Sequence, residues 1–143
     1  MPFALFLFFL GLWTYEVLAE NPVPAEVLRL IPVEWRFWLA KGLHVVAYAF
    51  LTVLAFWLPV PRLVFWLVIA GLLLHGVGTE VGQTFTANRT GSARDVVLDW
   101  IGVGLGLLII DGAKAILSRV APAPTGVPRS TRPSARRRPG VSG

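Results

Sequence analysis

Residues 37–83 read FWLAKGLHVVAYAFLTVLAFWLPVPRLVFWLVIAGLLLHGVGTEVGQ, two apolar runs that are separated by Pro59, Val60 and Pro61. Each run reaches the length of a bilayer-spanning helix, which takes about 17–25 residues. Proline disrupts the interior of a helix but is tolerated at its first turn. A connection this short joins antiparallel neighbours. The stretch therefore predicts a transmembrane hairpin.

Further apolar runs lie on both sides of this hairpin. We therefore predict an all-α, polytopic membrane protein, with four transmembrane helices in an up-down bundle and a membrane domain over residues 1–118. The expected spans are residues 2–19, 37–58, 62–82 and 95–117. The first run could instead be a signal peptide cleaved near Ala19. A signal peptide requires Lys or Arg before its apolar run. None precedes this run, so a retained helix is favoured.

The composition agrees with a membrane protein. The chain is 55% hydrophobic and 15% charged, with a mean hydropathy of +0.68, whereas soluble domains average about 25% charged residues. It has no cysteine, which excludes disulfides and thiolate sites. Residues 119–143 are rich in Pro, Arg, Ser and Gly, a composition that predicts a disordered tail. The net charge of +5 lies mainly in this tail, so nucleic acid is not expected as a partner.

The distribution of Lys and Arg predicts the orientation in the membrane. Cytoplasmic segments carry an excess of these residues. One side of the predicted bundle has Arg62, Lys114, Arg119 and the arginine-rich tail. The other side has Arg29, Arg36, Lys41, Arg89 and Arg94. We therefore expect a multi-pass protein of the bacterial inner membrane with both termini in the cytoplasm.

The polar residues of the membrane domain concentrate at the opposite, outer face. In an up-down bundle, the start of the second span, the end of the third and the start of the fourth meet there. Spacings of three and four place the polar residues of each helix on one side. The predicted binding residues are Lys41, His44, Tyr48, Glu80, Gln83, Arg89, Arg94, Asp95 and Asp99.

Several of these residues have simpler structural explanations. Glu80 could pair with Arg89 or Arg94, because ionisable groups at membrane depth tend to be paired. For Asp95, capping of the fourth span is as good an explanation as binding. His75 is better explained as a packed, hydrogen-bonded histidine.

Other kinds of chemistry are less favoured by the sequence. A metal site would need three ligands from His44, His75, Glu80, Asp95 and Asp99. The chain has no HxxxH or HExxH spacing, so we predict no metal and no cofactor. No nucleophile-elbow pattern surrounds Ser92 either, and no catalytic residue is assigned.

Pairs of glycines four residues apart predict close helix packing. Gly102 and Gly106 form one such pair in the fourth span, and Gly78 and Gly82 form another in the third. Small residues at this spacing let helix backbones approach closely in a bilayer.

Taken together, these motifs resemble the VanZ-like family of membrane proteins. They comprise Lys41-x-x-His44-x-x-x-Tyr48-x-x-Leu51, Glu80-x-x-Gln83, Arg89, Ser92, Asp95 and Gly102-x-x-x-Gly106. The resemblance covers about residues 39–108. The chain departs from the family pattern at Ala40, where the family often has Asp, and at Asp99, where it often has Asn. The second departure adds a carboxylate to the cluster.

The resemblance implies a bacterial cell-envelope protein, related to one linked with low-level resistance to the glycopeptide teicoplanin, but it implies no reaction. Our first hypothesis is a non-enzymatic protein of the lipid bilayer that binds a polar headgroup, lipid-linked precursor or glycopeptide. The alternative is an intramembrane enzyme that acts on a lipid-linked substrate, with Glu80 or His44 as the acid or base. A small transporter or an accessory subunit ranks last.

Overall fold

The computed structural model describes residues 1–19, 25–86 and 91–120, and within these ranges it contains five helices and no strand. The helices are α1 (Pro2–Leu18), α2 (Ala25–Leu30), α3 (Val33–Phe56), α4 (Arg62–Gln83) and α5 (Ala93–Val120). Helices α3, α4 and α5 are each long and apolar enough to cross a membrane. The all-α prediction is therefore confirmed, with three helices of spanning length among the described residues.

Helix α1 is apolar but shorter, with 17 residues. Its length alone does not establish the predicted fourth span. It nevertheless belongs to the bundle, because it packs against both α3 and α4. The Phe9 ring meets the Phe50 ring edge to face with centroids 5.0 Å apart, and Leu18 lies against Gly82 of α4.

Two helices extend beyond their predicted bounds. Helix α3 begins at Val33, four residues earlier than expected, directly after Pro32. Proline fits this position because its fixed φ suits a helix start and its missing N–H removes no helical bond there. Helix α5 continues to Val120, and its residues 111–120 are all exposed. The first two residues of the predicted disordered tail are thus helical, and residues 121–143 lie outside the described part of the chain.

The closest packing in the bundle is between α3 and α5. A Cβ at Gly102 would lie 2.5 Å from the Val45 carbonyl oxygen, and a Cβ at Gly106 would lie 2.6 Å from Thr52 Cβ. This confirms the predicted close approach at these glycines. Among the described residues nothing lies within 4 Å of a Cβ at Gly78, whereas a Cβ at Gly82 would lie 2.9 Å from Leu18 of α1.

The interior and the surface of the bundle are both apolar over most of their length. The buried cluster joins α1, α3, α4 and α5 through Phe6, Tyr48, Leu51, Ala55, Leu58, Ile69, Leu72 and Val103. Leu, Val, Ile, Phe and Trp side chains also cover much of the exposed surface of α3, α4 and α5. Helices that are apolar all round are typical of membrane spans. The buried polar groups are therefore the exception that defines a candidate site.

Candidate functional site

The outermost contact of the polar cluster is an ion pair between α3 and α5. Lys41 Nζ lies 2.5 and 2.6 Å from the two carboxylate oxygens of Asp95. The side chains are 26% and 9% exposed, so the pair is largely shielded. Asp95 lies in the first turn of α5, but its described side-chain bonds go to Lys41 and none to the backbone at the helix start. Cross-helix pairing, rather than capping, is its observed role.

One turn further along the same interface, His44 of α3 meets Asp99 of α5. His44 Nδ1 is 2.8 Å from Asp99 Oδ1, and the Asp99 side chain is only 1% exposed. Its other oxygen, Oδ2, lies close to Gly76 of α4, where an added Cβ would be 2.9 Å away. Asp99 Oδ2 has no hydrogen-bond partner among the described residues. The carboxylate that departs from the family pattern thus lies at the centre of the cluster.

Glu80 approaches the same place from α4. Its side chain is buried, and the backbone N–H of Ser92 donates to Oε2 over 2.6 Å. Close approach of the segment before α5 depends on Gly91, since a Cβ there would lie 2.1 Å from the Glu80 carbonyl oxygen. Oε1 has no hydrogen-bond partner among the described residues.

The predicted ion pair of Glu80 is not observed within the described part of the chain. Arg94 is exposed, and its described hydrogen bond is made by its backbone N–H to Ser92 Oγ. Of the two expected partners of Glu80, Arg94 is therefore not paired with it, and Glu80 Oε2 accepts a hydrogen bond from the Ser92 N–H. Arg89, the other expected partner, lies outside the described residues.

His44, Glu80 and Asp99 converge from three different helices. One ligand atom from each lies within 4.8 Å of the other two. A carboxylate pair with an imidazole can accept hydrogen bonds, transfer protons or ligate a metal ion. Short motifs cannot predict this group, because 36 and 19 residues separate its members along the chain.

A second polar layer lies deeper in the bundle and is fully hydrogen-bonded at its centre. His75 receives or gives a hydrogen bond at each ring nitrogen, 2.8 Å from Tyr48 Oη and 2.8 Å from Thr14 Oγ1. Tyr48 is completely buried. His75 is thus the packed, hydrogen-bonded histidine that its apolar surroundings predict, and the Tyr48 hydroxyl is one of its two partners.

Helix α1 contributes residues that the sequence analysis did not include in the site. Thr14 joins the His75 layer, and the Trp13 ring packs edge to face on His44 with centroids 5.2 Å apart. Gln83 donates to the Val17 carbonyl oxygen over 3.3 Å, so it holds α4 against α1. The sequence did offer a sign of this role, since Trp13 and Thr14 are residues with polar groups inside the otherwise apolar first run.

Comparison with known proteins agrees with the motifs. A family model described as VanZ/LLP1 matches residues 3–115, which include α1 and most of α5. No curated protein and no solved structure matches the chain. The matched region is longer than residues 39–108 and brings α1, with Trp13 and Thr14, into the family domain.

Proposed function

Because the chain belongs to the VanZ/LLP1 family, we propose that this VanZ-like membrane protein binds the polar part of a membrane ligand at its outer-face cluster. The ligand would be a lipid headgroup or a lipid-linked cell-envelope precursor. The main support is that Glu80 and Asp99 are buried and converge on His44. Each of the two carboxylates also has one oxygen without a hydrogen-bond partner among the described residues. Buried carboxylate oxygens favour a ligand that donates hydrogen bonds.

The contacts of the cluster narrow the chemistry of the ligand. Lys41 is engaged by both oxygens of Asp95, so it is a poor candidate for binding a phosphate. Glu80 and Asp99 instead suit hydroxyl, amide or ammonium groups. Arg94 is exposed at the start of α5 and could contact a phosphate at the rim. A sugar, amino-alcohol or peptide amide attached to a lipid has this combination of groups.

The proposal includes a membrane arrangement with α1 as a fourth span. Its 17 residues extend about 25 Å as a helix, close to the roughly 30 Å hydrocarbon core. Phe3, Leu7 and Phe8 face outward, as lipid-facing residues would. With Arg62 and Lys114 at the opposite end from the cluster, both termini would lie in the cytoplasm of a bacterial inner membrane. Reporter fusions at Gly143 and within residues 84–94 test this orientation.

Retention of a membrane ligand is the direct test of the binding proposal. The full chain is purified in mild detergent from bacterial membranes, and bound lipids are identified by native mass spectrometry. Glu80→Gln should lower the retained ligand by about tenfold or more, because a hydrogen bond to a charged group contributes about 1.5–3 kcal/mol. Glu34→Gln is the matched control, since Glu34 is exposed in the first turn of α3.

Two outcomes would end the binding proposal. One is that wild type and Glu80→Gln retain the same lipids in the same amounts. The other is that Glu80→Gln loses ligand only together with its helical circular dichroism signal. A glycopeptide ligand is distinguished by adding teicoplanin to the purified protein and by measuring teicoplanin susceptibility of cells that express each variant at equal level.

A second candidate function is supported by the contact between His44 and Asp99. A histidine oriented by a buried carboxylate, with a second carboxylate nearby, is an arrangement that can move protons. The protein would then be an intramembrane enzyme acting on a lipid-linked substrate. Turnover of lipid-linked substrates by the purified wild type, lost in His44→Gln, would favour the enzyme. Binding of the same lipids without any product would favour the binding protein.

A further inference from the structure

We propose that His44, Glu80 and Asp99 form a binding site for a single divalent transition-metal ion. The three residues come from α3, α4 and α5, and one ligand atom of each lies within 4.8 Å of the other two. This site involves the same cluster as the proposed ligand-binding function, but it requires only these three side chains and no membrane ligand.

The ligand set selects the class of ion. Imidazole nitrogen with two carboxylates suits Zn²⁺, Mn²⁺ or Fe²⁺, whereas Ca²⁺ and Mg²⁺ prefer oxygen ligands alone. Zinc binds nitrogen and carboxylate oxygen at about 2.0–2.2 Å, which places ligand atoms around one ion about 3–4 Å apart. The observed separations reach at most 4.8 Å, so the ligand atoms need to move by roughly 1 Å to reach this geometry.

The charge balance of the cluster also favours a divalent cation. Lys41 neutralises Asp95 through a bidentate contact. Glu80 and Asp99 then remain as two carboxyl groups in a buried site, with His44 beside them. Charged groups inside a membrane are expensive unless a counter-charge lies close to them. A divalent ion bound to both carboxylates would supply that counter-charge.

The unpartnered oxygens provide an independent indication. Asp99 Oδ2 and Glu80 Oε1 are buried and have no hydrogen-bond partner among the described residues. The second oxygen of Glu80 is already held by the Ser92 N–H at 2.6 Å, and bonds of this kind orient ligands in metal sites. Asp99 Oδ1 lies 2.8 Å from His44 Nδ1, and an ion between Asp99 and His44 would replace this hydrogen bond. Three protein ligands leave an open position on a four-coordinate ion, where a ligand oxygen could bind.

Metal binding by this chain is simple to assign, because it has two histidines and no cysteine. The full chain, without a histidine tag, is purified in detergent, treated with a chelator and titrated with Co²⁺ alone. We expect one equivalent to bind, with visible ligand-field absorption that Zn²⁺ removes by competition. His44→Gln should lower the affinity by about 100-fold or more, since even indirect supporting residues change metal affinity by 10–100-fold.

The matched control is His75→Gln, which replaces the histidine whose two nitrogens bind Tyr48 and Thr14. It should keep the Co²⁺ spectrum and the affinity of wild type. Glu80→Gln and Asp99→Asn provide the same test as His44→Gln if that variant does not accumulate. Zn²⁺ should raise the unfolding temperature of wild type and His75→Gln but not that of Glu80→Gln.

The proposal is overturned if wild type binds no Co²⁺, or if His44→Gln and His75→Gln bind it with equal affinity. Its failure is separable from failure of the ligand-binding function. Lipid retention is measured in the presence of a chelator, and metal binding is measured in detergent after lipid removal. A protein that retains lipid with chelator present but binds no Co²⁺ would keep the first proposal and lose this one.

Discussion

At one end of the bundle Lys41 reaches from α3 to Asp95 of α5, whereas at the other end Lys114 pairs with Asp111 of its own helix. The first contact is bidentate at 2.5 and 2.6 Å, between side chains that are 26% and 9% exposed. The second is a single contact of 3.3 Å between side chains that are 55% and 76% exposed. A buried pair between helices fixes how the helices are placed, and an exposed pair within a helix does not.

The neighbouring contacts differ in the same way. Beside Lys41 lie His44, Asp99 and Glu80, all polar and joined across helices. Beside Lys114 the helices meet through aromatic rings, with Phe56 and Phe65 edge to face at 6.3 Å, and Lys114 Nζ lies 4.7 Å from the centre of the Phe56 ring. The first end thus joins the helices through buried polar contacts, whereas the second end joins them through aromatic ones.

The largest loss of stability should come from disrupting the contact between α3 and α5. Gly102→Ala would place a Cβ 2.5 Å from the Val45 carbonyl oxygen, so the helices must separate. We expect a loss of about 3 kcal/mol in the free energy of unfolding, near the upper end for overpacking. The measurement is reversible unfolding in detergent, followed by circular dichroism.

Gly104→Ala is the matched control for this substitution, because no atom of the described part of the chain lies within 4 Å of a Cβ at that position. It should leave stability unchanged or raise it slightly through the better helix propensity of alanine. Equal effects of the two substitutions would contradict the assigned packing of Gly102.

A smaller effect is expected when the two ion pairs are compared directly. Asp95→Asn should lower the free energy of unfolding by about 1–2 kcal/mol, because Lys41 loses a charged partner in a shielded place. Asp111→Asn should change it by less than about 0.5 kcal/mol, as is typical of exposed pairs. Chemical denaturation of both variants under identical detergent conditions makes the comparison. Equal losses would contradict the expectation that the shielded pair contributes more to stability than the exposed one.

The smallest effect should come from the deeper polar layer. Tyr48→Phe removes the hydroxyl that lies 2.8 Å from His75 Nδ1, and we expect a loss of about 1 kcal/mol. Tyr15→Phe changes the only other tyrosine of the chain, which is 68% exposed, and should leave stability unaltered. Thermal unfolding of the two variants is the test, and a larger loss in Tyr15→Phe would count against the buried layer.

The positions of the long helices were predictable because apolar length and proline placement are properties of short stretches of chain. Pro59 and Pro61 separate α3 from α4, and the Gly102 and Gly106 pair predicted a close helix approach, which the structure shows to be with α3. Convergence of three helix ends also follows from an up-down order. This order places His44, Glu80 and Asp99 at the same end of the bundle, and in the structure their ligand atoms lie within 4.8 Å of one another.

The partners within that cluster were not predictable in the same way. The sequence favoured Arg89 or Arg94 for Glu80, and offered helix capping for Asp95. Of these arginines, Arg94 does not pair with Glu80, whose Oε2 accepts from the Ser92 N–H, and Arg89 lies outside the described residues. Asp95 binds the Lys41 ammonium, which lies 54 residues away along the chain and on another helix.

By itself, then, the sequence determined that this is an all-helical chain with spans near residues 37–58, 62–82 and 95–117, and which end of the bundle is polar. Only the tertiary structure decided which side chains meet, and that α1 contributes Thr14 and Trp13 to the polar layers. The physical reason is rotation about the helix axis. A helix that is apolar all round can turn any face inward at similar hydrophobic cost, so its orientation is set by a few contacts such as Gly102 on Val45 and Lys41 on Asp95.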